Sequence, residues 1–460
     1  MDSTRVSRSQ SRSSIYRRVW RWHFYAGLIC LPFLSLLALT GALYLYKDPI
    51  ESIIYSHLFF VEESSSPKLD AQSIVAKALN AQSGEVAKFT APLDDDRSAE
   101  VTVRTRGENV SVFVNPSNGQ VLGRLSEDDK LMERIKRTHT LMIVGPVANY
   151  WVEVVAGWSI VIVITGLLLG WPKGPEAGLY RVRGRPKQRK WWRGLHAVTG
   201  ITAAGVILFL AVTGMPWSAF WGRHFSRLTH EWGIGSPRYL WEKPNSLLTA
   251  TLGATPWALT VAPLPQSDPH AHHLVSESSS SGSETLTASI GLNKALSIFR
   301  SLGLPEGVPI SLPLGPKGVY SAIHLPDDVR AQRVVHLDRY SGIVRADIRY
   351  KDFGIAGKAA GWGVSLHTGR QYGWINRLVM LAGCLSILVL SLSAVVMWWK
   401  RRPSGRLAAP PRGAGDRAPL GAIVMVVMLG LLYPLLGASL LIVVALDYLL
   451  PRRCRDRFSL

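Results

Sequence analysis

Apolar residues in this chain gather into separated runs: Phe24 to Tyr46, Tyr150 to Trp171, Ala197 to Trp217 and Leu378 to Trp399. A helix rises about 1.5 Å per residue, so roughly 20 apolar residues cross a hydrocarbon layer of about 30 Å. All four runs are long enough, and Glu153 is the only formal charge inside them. The stretch 420–450 is also apolar but is broken by Pro434, so two short helices folded as a hairpin are expected there.

Between the runs the period changes. Ser111 to Gly123 alternates as a strand, turns at Asn115-Pro116-Ser117-Asn118-Gly119 and alternates again. Val335 to Ala346 repeats this, with Asp338 four residues before Gly342 as Asn115 is before Gly119. Ala71 to Leu79 and Leu292 to Leu302 carry helical apolar spacing ahead of each strand region. The expected fold class is therefore an α-helical integral membrane protein with a four-span core and a C-terminal apolar hairpin. Two small α+β modules, 47–138 and 218–366, are expected outside the membrane.

The net charge of +20 could point to nucleic acid, so its location matters. Segments 1–22, 172–193, 400–419 and 451–460 hold 24 basic and four acidic residues, which is the whole excess. All four adjoin apolar runs, the pattern of cytoplasmic loops, and no basic face is left for nucleic acid. Both termini are thus expected inside, with the modules periplasmic on a bacterial inner membrane. The three cysteines, Cys30, Cys384 and Cys454, fall in spans or the tail, so the modules fold without disulfides.

The chain also aligns with itself. His23 is followed by Gly27 at +4 and Thr40-Gly41 at +17 and +18; His196 by Gly200 and Thr213-Gly214 at the same offsets. His139-Thr140 precedes Gly145 at +6 and Trp171 at +32, and His367-Thr368 precedes Gly373 and Trp399 likewise. The repeated unit is span, module, span. It predicts spans 23–46, 139–171, 194–217 and 367–399, the second and fourth with outer extensions.

The histidines carry the candidate chemistry. His23 and His196 each open a span at its basic end, and His139 and His367 each precede a span at the other end. Packed about a pseudo-twofold axis, each pair meets at one depth, and two facing imidazoles can bind one haem iron axially. The plain alternative is interfacial histidine whose polar tip reaches headgroups. Gly27, Gly41, Gly200 and Gly214 suit porphyrin or close helix packing alike. Thr40 and Thr213 are expected to bond back within their own helices. His224 and His230 are weaker ligand candidates. His270, His272 and His273 beside Asp268 offer a transition-metal cluster or, next to the Ser-rich 276–283, more simply a solvated loop, and Glu153 reads as a proton relay or an interfacial charge. No flavin or nicotinamide fingerprint is present.

These residues resemble the PepSY-associated transmembrane family, often called iron-regulated membrane proteins. The resemblance rests on Trp22-His23-Phe24-Tyr25-Ala26-Gly27 with Thr40-Gly41, and on Leu195-His196 through Gly200 with Thr213-Gly214. It rests also on Leu366-His367-Thr368-Gly369-Arg370 with Gly373, and on Val396 to Pro403. Some members are ferric-siderophore reductases that hold two b-type haems. The resemblance implies haem ligation by His23, His196, His139 and His367. It also implies a cytoplasmic reductant or quinol as donor and a periplasmic ferric chelate as acceptor. Two other classes stay open: a non-redox anchor whose modules bind a periplasmic partner, and an iron or solute permease component. The anchor predicts no haem; the permease wants polar groups or broken helices at mid-membrane.

Overall fold

The computed structural model describes residues 3–171, 181–237, 239–240, 249–268, 289–402 and 420–449. Among these, four helices are long and apolar enough to cross a bilayer. They lie within α1 (Ser3–Tyr44), α6 (Pro146–Gly170), α7 (Arg189–Gly214) and α11 (Trp374–Trp399). Their contacts close a ring, α1–α6–α7–α11, so α1 and α7 face each other across the bundle. Small residues let the helices approach: a Cβ at Gly383 of α11 would stand 2.6 Å from Val206 of α7. Large apolar side chains point outward instead, as with Ile29, Leu39, Leu168, Leu385 and Leu392, which suits a lipid surround.

Pro434 separates α12 (Leu420–Leu432) from α13 (Pro434–Leu449). The two cross so closely that Gly437 and Gly430 meet backbone to backbone. Leu436, fully buried, seats this pair against Gly157 of α6.

Outside the bundle, α2 (Lys47–Ile54) and α3 (Ser56–Phe59) lead to α4 (Ala71–Ala81) and strands β1 (Glu85–Thr90), β2 (Ala99–Thr105), β3 (Glu108–Val114) and β4 (Val121–Ser126). A short α5 (Leu131–His139) follows. In the second half α8 (Trp221–Glu231) and α9 (Leu292–Ser301) precede β5 (Ile310–Ser311), β6 (Val319–His324), β7 (Arg333–Asp338), β8 (Val344–Arg349) and α10 (Ile355–His367).

One expectation changes here. The outer modules are not separate sheets: β1 pairs with β5, giving one eight-stranded antiparallel sheet, β4-β3-β2-β1-β5-β6-β7-β8. The outer extensions of 139–171 and 367–399 are helices of their own, set off from the spans. α5 and α10 end at the histidines, and a turn separates each from its span. That turn explains the glycines at +6: Gly145 has φ 133° and Gly373 φ 63°, a region that favours a residue without Cβ.

One face of the sheet packs Val101, Val103, Val112 and Val114 on Ile74 and Ala78 of α4, and Tyr320, Ala322, Val335 and Leu337 on Ala295 and Phe299 of α9. Alternation sends Phe113 and His336 to the opposite face. There Phe113 meets Phe59 at 5.4 Å between ring centroids, and Ile323, Val334 and Ile348 pack on Trp257 and Phe353.

Candidate functional site

The four repeated histidines meet the bundle in two groups. His23 on α1 and His196 on α7 face each other across it, ring centroids 6.3 Å apart and planes at 87°. At the other end, His139 and His367 enter from α5 and α10 and lie near enough to interact electrostatically. Their seats are glycines: a Cβ at Gly41 would stand 3.5 Å from His139 Cε1, and one at Gly214 3.6 Å from His367 Cε1. Thr40 follows His23 by 17 residues on the same helix, so the two levels are about 26 Å apart along α1.

Each imidazole is tied at Nδ1 to a hydroxyl on a neighbouring span. His23 pairs with Thr165 of α6 at 3.0 Å and His139 with Thr40 of α1 at 2.9 Å. His196 pairs with Ser393 of α11 and His367 with Thr213 of α7, both at 2.9 Å. The hydroxyls have already used their single proton. Thr165 donates to Val161 O, Thr40 to Leu36 O, Thr213 to Phe209 O and Ser393 to Leu390 O, at 2.6 to 2.9 Å. Only lone pairs remain, so each Nδ1 must be the donor. Carbonyls three residues before each hydroxyl, at Ile162, Leu37, Leu390 and Leu210, face the same rings and can only accept. All four imidazoles are therefore Nδ1–H tautomers with a bare Nε2. Among the described residues, no hydrogen bond reaches any of those Nε2 atoms.

This arrangement fits a metal held between paired rings. With a metal–imidazole bond of about 2.0 Å, two rings on one ion have centroids roughly 6 Å apart, close to the 6.3 Å found for His23 and His196. No cluster of three or more His, Cys, Asp or Glu able to hold a bare ion occurs among the described residues. A metal that brings its own equatorial ligands, as haem iron does, needs only the two imidazoles. Beside His23, a Cβ on Gly27 would meet nothing within 4 Å.

Sequence reasoning missed half of the constellation. Thr40 and Thr213 do bond back within their helices as expected, but they also hold the histidines. Thr165 and Ser393 complete the set, each 26 residues after its half's second histidine. The signal was there as a shared hydroxyl rather than a shared residue.

The weaker candidates stand apart. His224 Nδ1 donates to Phe220 O at 2.8 Å and stacks on the Phe220 ring, and His230 lies beside Ser236. Neither joins the four. His270, His272 and His273 lie outside the described residues. Glu153, 1 % exposed, accepts the backbone N–H groups of Phe220 and Trp221 and so caps the start of α8. That explains a carboxylate inside an apolar run.

Outside the membrane, Lys130 lies between Glu100 and Glu127, at 3.0 and 2.7 Å, just before α5. Burial works against its charge, but the two carboxylates outweigh this and hold its ammonium above the ordinary lysine range. A cavity of about 380 Å³ opens at the β1–β5 join, lined by Gln72, Val75, Val86, Leu292, Tyr320 and Arg339 among others. It lies on the α4 and α9 face, opposite the one that carries Phe113 and His336.

A helical bundle with two tiers of paired histidines under a duplicated sheet defines a class of multi-pass membrane protein. Residues 20–401 match the family described as the PepSY-associated TM region, and the chain belongs to that family. Comparison with curated proteins finds no match.

Proposed function

We propose that the chain carries electrons across a bacterial inner membrane through two b-type haems and passes them to a periplasmic ferric chelate. The carrying observation is the His23–His196 pair: two tautomer-fixed rings, 6.3 Å apart, on opposite helices of an apolar bundle. His23 and His196 would hold one haem, His139 and His367 the other. Bound there, the haems would supply one-electron chemistry at two levels of the bundle, toward each face. The protein's part is to orient the four imidazoles, keep water from the bundle and fix the separation of the two levels. The basic segments beside the His23 level support a cytoplasmic position for it, where a flavin-type reductant or quinol would donate, with the sheet then on the periplasmic side. Reduction weakens a hard-oxygen chelator's hold on iron, since such ligands prefer the more highly charged ion.

A second reading, an anchor whose outer sheet binds a periplasmic partner, draws on the cavity at the β1–β5 join. The two readings separate on colour. An oxidised-minus-reduced spectrum of purified protein, with haem quantified as the pyridine haemochrome, is expected to give two b haems per chain. His23→Ala or His196→Ala should leave one. A colourless protein from haem-replete cells would sink the electron-transfer reading.

A further inference from the structure

We propose that Thr40, Thr165, Thr213 and Ser393 are positioning residues that set the ring planes of the four histidines and the redox potentials of the groups they bind. The inference rests on the haem reading above.

The helices do not need these contacts for themselves. A serine or threonine within a membrane span satisfies its proton by bonding the carbonyl one turn back, and all four do so. Their remaining lone pairs face an imidazole on another element in every case. Both halves of the chain repeat this at the same offsets, 17 residues after the first histidine and 26 after the second. The acceptor is a hydroxyl at all four positions, although one is serine and three are threonine.

Rotation of an imidazole about its last side-chain bond is broad, so packing alone fixes the ring plane loosely. A hydroxyl on a different helix supplies a direction. His23 is steered by α6 and His196 by α11, and the two planes come out at 87°. The kind of acceptor matters as well. A carboxylate there would make the ligand strongly basic, as carboxylate–histidine partners do. It would also put a charge into the apolar bundle. A hydroxyl whose proton is already committed is a neutral, moderate acceptor, so the ligands stay electrically neutral and less electron-rich. The outer sheet offers a contrast. His336 also has a hydroxyl on Nδ1, Ser321 at 2.8 Å, but among the described residues no second imidazole is recorded against it, so there the hydroxyl steadies a buried ring of the sheet.

The test uses the full-length, haem-loaded protein in detergent. Thr165→Val and Ser393→Ala address the His23–His196 level; Thr40→Val and Thr213→Val address the other. Haem content is measured first, then the low-spin ferric electron paramagnetic resonance signals and the two midpoint potentials. Each variant is expected to retain both haems, to alter the signal and potential of its own level, and to leave the other level as an internal control. Thr165→Ser should restore the wild-type values, which a purely structural role for the methyl group would not allow. If a valine variant fails to fold, the serine variant together with Ser393→Ala decides. Wild-type protein without haem overturns the haem reading and this proposal with it. Wild-type protein with two haems, whose signals and potentials are indifferent to every substitution, overturns this proposal alone.

Discussion

The membrane bundle and the outer sheet are both built from two copies of one pattern, and they have kept different things. In the bundle, the two halves agree in the polar atoms: each histidine meets a hydroxyl, at matched offsets, on the corresponding helix. In the sheet, agreement lies in the turn. Asn115 and Asp338 each accept a backbone N–H two residues on, from Ser117 and Tyr340 at 2.9 Å. Behind the turn the halves diverge: Phe113 packs at a tilt on Phe59 where His336 bonds Ser321. The difference teaches where geometry is demanding. A bound group needs atoms within fractions of an ångström, whereas a sheet face needs only to be filled.

The sharpest way to break this comparison is to remove a ligand. If the bundle holds the two haems proposed above, His139→Ala should cost one of them, halving the pyridine haemochrome, while the outer sheet melts as before. A sheet that unfolds together with haem loss would mean that the two regions are not separable. Next comes Phe113→Ala. Phe113 is 2 % exposed, and truncating such a ring costs about 3–5 kcal/mol. Because β1 joins β5, the loss should lower one transition of the whole eight-stranded sheet, followed by calorimetry, and leave the haem spectrum unchanged. Two resolved transitions would show that the halves fold separately.

A third effect is pH-dependent. Burial pushes the His336 imidazole down to about 4, from an ordinary value near 6.5. Between those values the unfolded chain takes up a proton that the folded sheet does not, so stability falls as pH drops from about 6.5 to 4 and is flat above. The loss is at most about 3 kcal/mol, and His336→Leu should flatten that part of the profile. The smallest effect is expected from Asp70→Ala. Asp70 accepts the N–H groups of Gln72 and Ser73 at the start of α4 and reaches Asn293 of α9 at 2.9 Å. The melting midpoint should fall by less than in the Phe113 variant. A larger drop would mean that this bridge, and not the strand pairing, joins the halves.

Much of this architecture is written in local features. The four runs announce the bundle because each is apolar over a bilayer's width, and Pro434 announces the break between α12 and α13. The histidine repeat, with its +4, +17 and +18 companions, marks the four histidines of the constellation. What escaped the sequence was long-range. Nothing local says that β1 finds β5, since that join is two residue pairs between segments more than 200 residues apart. Nor does a run of apolar residues say that Thr165 faces His23. A helix displays about the same pattern whichever way its hydroxyls turn, and only the partner helix decides.

The sheet's strand order has one more consequence. Its two edges, β4 and β8, are the strands that run on into α5 and α10, and these helices end at His139 and His367. The sheet is thus the beam of a caliper, with those helices as its jaws. The beam is thinnest in the middle, where Lys88 meets Ser311 and Phe89 meets Ile310. The spacing of His139 and His367 is therefore carried across the sheet through those two residue pairs.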